Sequence, residues 1–441
     1  MSIKVGMVSL GCAKNQVDGE LMLAKLANDG FEIKSNPAEC DAVIINTCGF
    51  IEDAKKESIE TIFEFCGMKT NSNLKAVIVT GCLAERYREE LVKEIPEVDV
   101  VLGIGKNSDI SNAIKKAVNG EKIAEFGPKS DLSLEGERIL ANPPHFAYIK
   151  VAEGCDNKCS YCAIPLIRGE FRSRPMENII KEIESLAEKG VKEFNIVAQD
   201  TTRYGEDLYG KFMLAELIKK VCAIEKVEWV RILYCYPDRI TDELLETIAS
   251  EDKVVKYVDI PIQHASGKIL KLMNRKGDFN SIKSLMEKIR AKIPNVALRT
   301  TLIAGFPGET NEDFAELCEL VEEVKFDRLG CFSYSPEEDT PAFEMEDQID
   351  DQLKARRTDI IMELQMEVAE DLAQSMNGKT LKILTEGFDY DAGMYWGRSY
   401  MDAPDIDTKV YFMSNSKPNA GDFVNVLITD VDEYDLIGEE M

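Results

Sequence analysis

The sequence predicts a three-part α/β protein: an N-terminal doubly wound parallel α/β domain, a central partial (βα)6 barrel and a small C-terminal β-barrel. Three observations predict it. The first 130 residues alternate short β-branched runs with helical patterns; the alternation resumes at Phe146 for six βα repeats; beyond Asn377-Gly378 the helical period gives way to short strands and turns. Strands are expected at 3–9, 42–46, 76–80 and 98–102, with helices at 16–29, 53–65 and 85–94, the first ended by Gly30 and the last before Pro96. Residues 128–144 combine prolines, glycine and charges with little periodicity and read as a linker between residues 1–127 and 145–375. Further strands are expected near 146–152, 194–198, 229–233, 257–261, 296–303 and 328–332. A full barrel of this kind needs eight repeats, so six make an incomplete one. A charged helix over 349–376 leads to the last unit, 376–441.

Composition narrows the function classes. No stretch approaches the roughly 20 consecutive apolar residues of a membrane helix, and the run from Met1 to Leu10 leads straight into Gly11-Cys12, so it is expected to be a buried strand and not a signal peptide. Twelve cysteines without an export signal imply a reducing cytoplasm, where thiols serve metals or cores. The net charge of −27, from 53 basic against 80 acidic residues, would repel phosphates and argues against a generic nucleic-acid binder. It fits solubility alone, or a basic macromolecular partner.

The cysteines carry the chemistry. Cys155, Cys159 and Cys162 form a C-x3-C-x2-C run within GCDNKCSYCAIP, with no fourth nearby. A closed iron–sulfur cube takes four thiolates, so three leave one iron open, and an open position is what distinguishes a catalytic metal site from a structural one. The alternative is a zinc knuckle completed from afar, although His145 and His264 are the only histidines. Cys12, Cys48 and Cys82 are 36 and 34 residues apart, yet each follows the carboxyl end of its own predicted strand, in MVSLGCAKN, IINTCGF and IVTGC. In a parallel sheet those ends share one edge, where such folds place ligands. The pattern predicts a second three-thiolate set; the alternative is three ordinary core cysteines. The other six cysteines read as core.

Other strand ends are weaker signals. Gln199 and Asp200, in AQDTT, end the second barrel strand, where barrel enzymes carry functional groups; turn capping is the alternative. Gly305 and Gly308, in GFPGET, follow the fifth strand and would admit a ribose or adenine. His264 ends the fourth and reads as a hydrogen-bonded structural residue or a pocket residue. Arg168, Arg172 and Arg174 form a basic patch suited to a carboxylate or to surface ion pairs.

Taken together, LGCAKNQVDGE, NTCGF, TGC, EGCDNKCSYCAIP, IRGEFRSRP, AQDTTRYG, DIPIQHAS and AGFPGET resemble the radical S-adenosylmethionine (SAM) methylthiotransferase family across essentially the whole chain. CAKNQVD and AQDTT favour its ribosomal-protein branch over the tRNA-adenosine branch. The resemblance implies a radical SAM barrel and a C-terminal OB-like TRAM domain. It implies two 4Fe-4S clusters, one on Cys155, Cys159 and Cys162 and one on Cys12, Cys48 and Cys82, with SAM contacts from Tyr161, Gln199, Asp200, Arg168, Gly305 and Gly308. It further implies cleavage of SAM to a 5′-deoxyadenosyl radical and attachment of a methylthio group to the β-carbon of an aspartate in ribosomal protein twelve of the small subunit. An external electron donor is required. From Met376 onward five basic residues stand against thirteen acidic ones, a poor tRNA clamp but a plausible dock for a basic ribosomal protein. A non-enzymatic iron–sulfur carrier is the remaining alternative.

Overall fold

The structure is a computed structural model and describes residues 2–441; Met1 lies outside the described residues. The first sheet contains β1 (Lys4–Ser9), β2 (Glu32–Ile33), β3 (Ala42–Thr47), β4 (Ala76–Gly81), β5 (Val100–Leu102) and β6 (Ile123–Glu125). All pairings are parallel, in the order β2-β1-β3-β4-β5-β6. Chain direction across the sheet therefore reverses between β1 and β3, the switch point where open α/β sheets form a crevice. β3 and β4 are buried at every residue, as their unbroken apolar runs require of central parallel strands. The two short edge strands, β2 and β6, lack such runs, and the sequence reading passed over them. The flanking helices include Ala13–Asn28, Glu52–Met68 and Cys82–Glu94.

The central sheet contains β7 (Phe146–Lys150), β10 (Glu193–Val197), β11 (Trp229–Ile232), β12 (Val254–Asp259), β13 (Ala297–Ala304) and β14 (Arg328–Ser333), ordered β14-β13-β12-β11-β10-β7 and wholly parallel. It is an open, six-stranded partial barrel. One face carries Ala147, Ile149, Phe194, Ile196, Val230, Ile232, Val258 and Leu298 in the main core. The alternate residues, among them Lys150, Glu193, Arg231, Asp259 and Arg299, point to the other face. Between β7 and β10 lies a two-stranded ribbon, β8 (Ala152–Glu153) with β9 (Arg172–Ser173), which pins the base of the loop bearing the cysteine run.

The linker is strapped down. Arg138 is buried, ion-paired with Glu20 and with Glu182 at 2.6 Å, and it donates to the Tyr148 carbonyl at 2.7 Å. The helix Asp351–Gln374 then packs beside β14 and leads to a closed barrel of β15 (Thr380–Asp389), β16 (Met394–Arg398), β17 (Val410–Met413), β18 (Phe423–Asp432) and β19 (Asp435–Glu440), ordered β15-β16-β17-β19-β18. This barrel sits at the starts of the central strands: Trp229 packs edge-on to Phe423 at 4.8 Å, and Glu193 pairs with Arg398 at 2.6 Å. Its segment 399–408 lines the inner face of the central sheet. Asp402 pairs with Arg328, Asp407 accepts from Tyr257 at 2.7 Å and lies 3.7 Å from Arg299, and Arg231 donates to the Tyr400 carbonyl at 2.8 Å. The opposite end, at the strand carboxyl termini, holds the cysteines.

Candidate functional site

The first three cysteines converge because the strand ends are in register: Ser9 pairs with Asn46, and Asn46 with Thr80. Asn15 and Asn46 lock the first two ends together. Asn15 Nδ2 donates to the carbonyls of Leu10 (2.8 Å), Asn46 (3.2 Å) and Thr47 (3.2 Å), and Asn46 Nδ2 donates back to the Asn15 carbonyl at 2.7 Å. Close approach also demands glycine. A Cβ on Gly11 would lie 3.0 Å from Cys48 Sγ, and one on Gly81, at φ +93°, would lie 2.5 Å from the Thr47 carbonyl oxygen. Cys12 and Cys82 stand at the N-termini of the helices Ala13–Asn28 and Cys82–Glu94, where backbone N–H groups favour a thiolate.

The three thiols feel one another. Burial, with the neighbouring Cys82, pushes the Cys48 thiol up to about 12. Burial also raises Cys82, and the adjacent Arg168 guanidinium partly offsets it. Burial alone would raise Cys12, yet the cations of Lys14 and Arg168 bring it below its ordinary value. Cys12 keeps exposed surface.

The second set lies on the loop between β8 and β9. Gly154, at φ +74°, is required there because a Cβ would fall 2.1 Å from the Glu170 carbonyl oxygen. Cys155 N donates to the Gly169 carbonyl (3.1 Å), Cys162 N to that of Cys159 (3.1 Å), and Ser160 Oγ to that of Leu272 (2.8 Å). Burial pushes the Cys155 thiol up to about 11 and drives Cys162 higher still. Arg275 Nη1 is 3.8 Å from Cys159 Sγ, with its guanidinium 4.3 Å from the Tyr236 ring centroid. Tyr161 packs edge-on to Phe306 at 6.5 Å, and burial, with the Cys159 and Cys162 thiols, raises its hydroxyl against Arg275.

The two sets lie side by side. Cys82 packs directly on Ala163 and Ile167, immediately beyond Cys162. Among the described residues no three His, Cys, Asp or Glu side chains gather tightly enough to hold a single metal ion. The thiols of each set are near enough to perturb one another. Metal would have to displace their protons, a task eased by the helix termini and the guanidiniums. Gln199 sits at the same edge with its Oε1 buried and unpartnered, an acceptor waiting for a donor such as the amino group of SAM. The residues present therefore fit two iron–sulfur clusters and SAM.

Several sequence-level expectations are redirected. Asp200 accepts from Thr202 (2.6 Å), Arg239 (2.7 Å) and Asn157 (3.0 Å) and so braces the loops at this edge. Arg168 turns away from the run it follows. It is buried, paired with Asp18 and with Glu153 (3.3 Å), and donates to Asn15 Oδ1 (3.1 Å) and Cys82 Sγ (3.3 Å). Arg172 donates to linker carbonyls, and Arg174 pairs with Glu135 (2.7 Å) and Glu182 (2.6 Å), so the basic patch is a structural clamp. Gly305 makes room for the helix Asp351–Gln374, since a Cβ would lie 2.4 Å from Lys354 Cγ, and a Cβ on Gly308 would face Leu272 at 3.4 Å. His264 Nδ1 accepts from Ser266 N at 3.0 Å, so its Nε2 carries the hydrogen donated to Glu309 at 3.2 Å, a satisfied structural histidine.

The sequence reading missed Lys14, Asn15, Asp18, Lys150, Glu153 and Arg275. Asn15 and Asp18 are three apart on one helix, a spacing that would have marked a shared face; Arg275 carries no local signal. A cleft of about 400 Å³ between the Ala13–Asn28 helix and residues 132–137 lies away from the thiols.

Comparison with known proteins agrees with this arrangement. Residues 149–321 match the Radical SAM superfamily, residues 378–440 the TRAM domain, and residues 4–103 an uncharacterized protein family, UPF0004. Among solved structures, the radical SAM methyltransferase TsrM from Kitasatospora setae superposes with a TM-score of 0.56 at 15% identity, over 87% of this chain and 81% of that one. The cobalamin-dependent SAM radical enzyme OxsB follows at 0.52 and 11%, over 84% and 56%. These establish the fold. The class is thus a radical SAM enzyme with an added thiol-bearing α/β domain. Proteins named ribosomal protein uS12 methylthiotransferase RimO are 50% identical in Acetivibrio thermocellus, over 100% of this chain and 98% of that protein, and 49% identical in Thermoanaerobacter sp., over 99% of each. The chain belongs to this uS12 methylthiotransferase family.

Proposed function

We propose that this chain attaches a methylthio group to ribosomal protein uS12 of the small subunit, at the β-carbon of an aspartate. The observation that carries the proposal is the pair of three-thiol sets brought side by side, with Cys82 seated on Ala163. We assign Cys155, Cys159 and Cys162 to the cluster that binds SAM, Cys12, Cys48 and Cys82 to the second, and Tyr161 and Gln199 to SAM contacts. When bound, these groups supply a radical strong enough to take hydrogen from an unactivated carbon, together with the sulfur to be transferred. The chain's own residues prepare the place. Arg275 and Arg168 direct N–H groups at Cys159 and Cys82, and helix N-termini face Cys12 and Cys82. The α/β domain meets the strand ends, where Arg168 reaches its Asp18, Asn15 and Cys82. In this reading residues 1–127, 145–375 and 376–441 are the three domains, 128–144 is the linker, and an external donor brings electrons in the cytoplasm. No described helix is long and apolar enough to cross a membrane.

The test is mass spectrometry of uS12 and of tRNA from a strain lacking this gene. A methylthio mass should vanish from uS12 and persist on tRNA, and neither Cys159→Ala nor Cys48→Ala protein should restore it. Loss from tRNA alone would overturn the assignment.

A further inference from the structure

Residues 157–169 and 260–277 carry no acidic residue, in a chain where 80 of 441 are acidic. The first stretch holds Cys159, Cys162 and Lys158; the second holds Lys268, Lys271, Arg275 and Lys276. The fold welds them together. The turn after the short helix Gly267–Leu272 is bonded to the cysteine loop. Ser160 N donates to the Met273 carbonyl (3.1 Å), Ser160 Oγ to that of Leu272 (2.8 Å) and Asn274 Nδ2 to that of Lys158 (2.8 Å). Buried Arg275 lies behind this seam, with its Nη1 3.8 Å from Cys159 Sγ.

The seam presents a basic island to solvent. Lys158 is exposed beside Cys159 at φ +52°, a backbone state uncommon for a residue with a side chain. Among the described residues neither Lys158 nor Lys271, also exposed, enters an ion pair. The Lys276 side chain is 86% exposed and reaches Asp238 only at 3.9 Å, whereas Lys268 is spent on Asp313 at 2.7 Å. Exposed Leu272 adds apolar surface next to Lys271. On another flank Ala342 N donates to the Ser160 carbonyl at 2.8 Å and leads into exposed Glu344 and Glu346, so acids bound the island there. Surface lysines are ordinary on a neutral protein. On a chain of net charge −27 they reverse the sign of the surface over this thiol set.

We propose that this island docks an acidic one-electron carrier protein, bearing a flavin or an iron–sulfur centre, that reduces the cluster on Cys155, Cys159 and Cys162. This rests on the function proposed above and names the surface and the chemistry of its external donor. The step moves one electron: the carrier is oxidised, the cluster is reduced, and no bond forms or breaks. The acidic remainder of the chain holds such a carrier off, and the island steers it to an approach that ends beside Cys159. A basic ribosomal protein is drawn to the acids instead, so the two partners have separate faces. Ribosomal RNA is the rival occupant, but its extended phosphate chain would meet the acids that surround so small an island.

The experiment mixes cluster-loaded protein anaerobically with a reduced acidic flavodoxin and follows the loss of visible absorbance, with rates taken per iron bound. The wild-type rate should fall as salt is added. The double variant Lys271→Glu/Lys276→Glu, which spares the cysteine loop, should be reduced about 10- to 100-fold more slowly at low ionic strength. Adding Lys158→Glu should slow it further, and salt should close the gap to wild type. Reduced methyl viologen, a small cation that needs no docking face, should reduce every variant at least as fast as wild type. A salt-independent wild-type rate, no slowing in the double variant, or equal slowing with viologen overturns the docking surface. So does an RNA hairpin that binds wild type but not the double variant while carrier-driven reduction is unchanged. Methylthio formation on uS12 with viologen as reductant, read as a mass, bypasses the island, so its failure counts against the function and not against the docking surface.

Discussion

Arg168 is the residue most changed by seeing its surroundings. From the sequence it belongs to a basic patch next to the cysteine run; in the fold it ties Asp18, Asn15 and Cys82 of the first domain to Glu153 of the second. Burial would raise the Glu153 carboxyl, but Lys150 and Arg168 hold it well below the usual carboxylate range. Removing the guanidinium leaves two fully buried carboxylates facing one lysine. Arg168→Met should therefore cost about 3–5 kcal/mol of stability, read by urea unfolding of the metal-free protein, and Arg168→Lys should cost less. A loss below ~1 kcal/mol would mean the network is soft or hydrated. The six thiols themselves were legible because their chemistry dictates their spacing or their place after a strand. Arg275 was not: nothing in a local pattern tells which distant arginine will reach the Cys159 thiol once loops meet.

At the scale of elements, periodicity was informative and small edges were not. β3 and β4 declare themselves by runs of β-branched residues, while β2 and β6 have two or three residues each and owe their existence to neighbours. The strand-to-cysteine turns depend on backbone room. Gly81 combines a φ of +93° with contacts a Cβ cannot make, so Gly81→Ala should destabilise the first domain by about 2–3 kcal/mol. Circular dichroism during denaturation measures it, and iron content after reconstitution should fall as well, since Cys82 is the next residue. The sequence linked Gly305 and Gly308 to a nucleoside because glycine signals close approach without saying what approaches. Here it is the helix Asp351–Gln374 that meets Gly305.

At the scale of the whole molecule, the acidity of the C-terminal barrel divides in two. Glu386, Asp402 and Asp407 are spent inside, on Arg398, Arg328 and Tyr257, whereas Asp391, Asp430, Asp432, Glu433 and Glu439 remain on the surface and suit a basic partner. Acid should loosen the barrel. Burial would raise Glu193, but Arg398 and Arg231 overcome it and set the carboxyl below its ordinary 4.5. Glu386 is lowered in the same sense, burial being outweighed by His145 and Arg398. A carboxyl lowered by folding contributes fully above its unfolded value and loses that contribution as pH falls through its folded one. Proteolysis near 375–379 should therefore accelerate as pH drops below about 4.5, and a flat profile from neutral to strongly acidic pH would refute it.

The segment 399–408 has a practical corollary for anyone probing how uS12 is selected. Cutting the chain near residue 376 would strip Arg328 of its carboxylate, leave Arg231 with Glu193 and Arg299 with Asp259 as sole acidic partners, and leave Glu193 facing a single guanidinium. A truncated protein that ignores uS12 would then report collapse of its own foundation, not a missing reader. Charge reversal at Asp430, Asp432 and Glu433 spares that foundation, and chimeras between relatives must carry Glu193, Arg231 and Arg398 across as one inseparable unit.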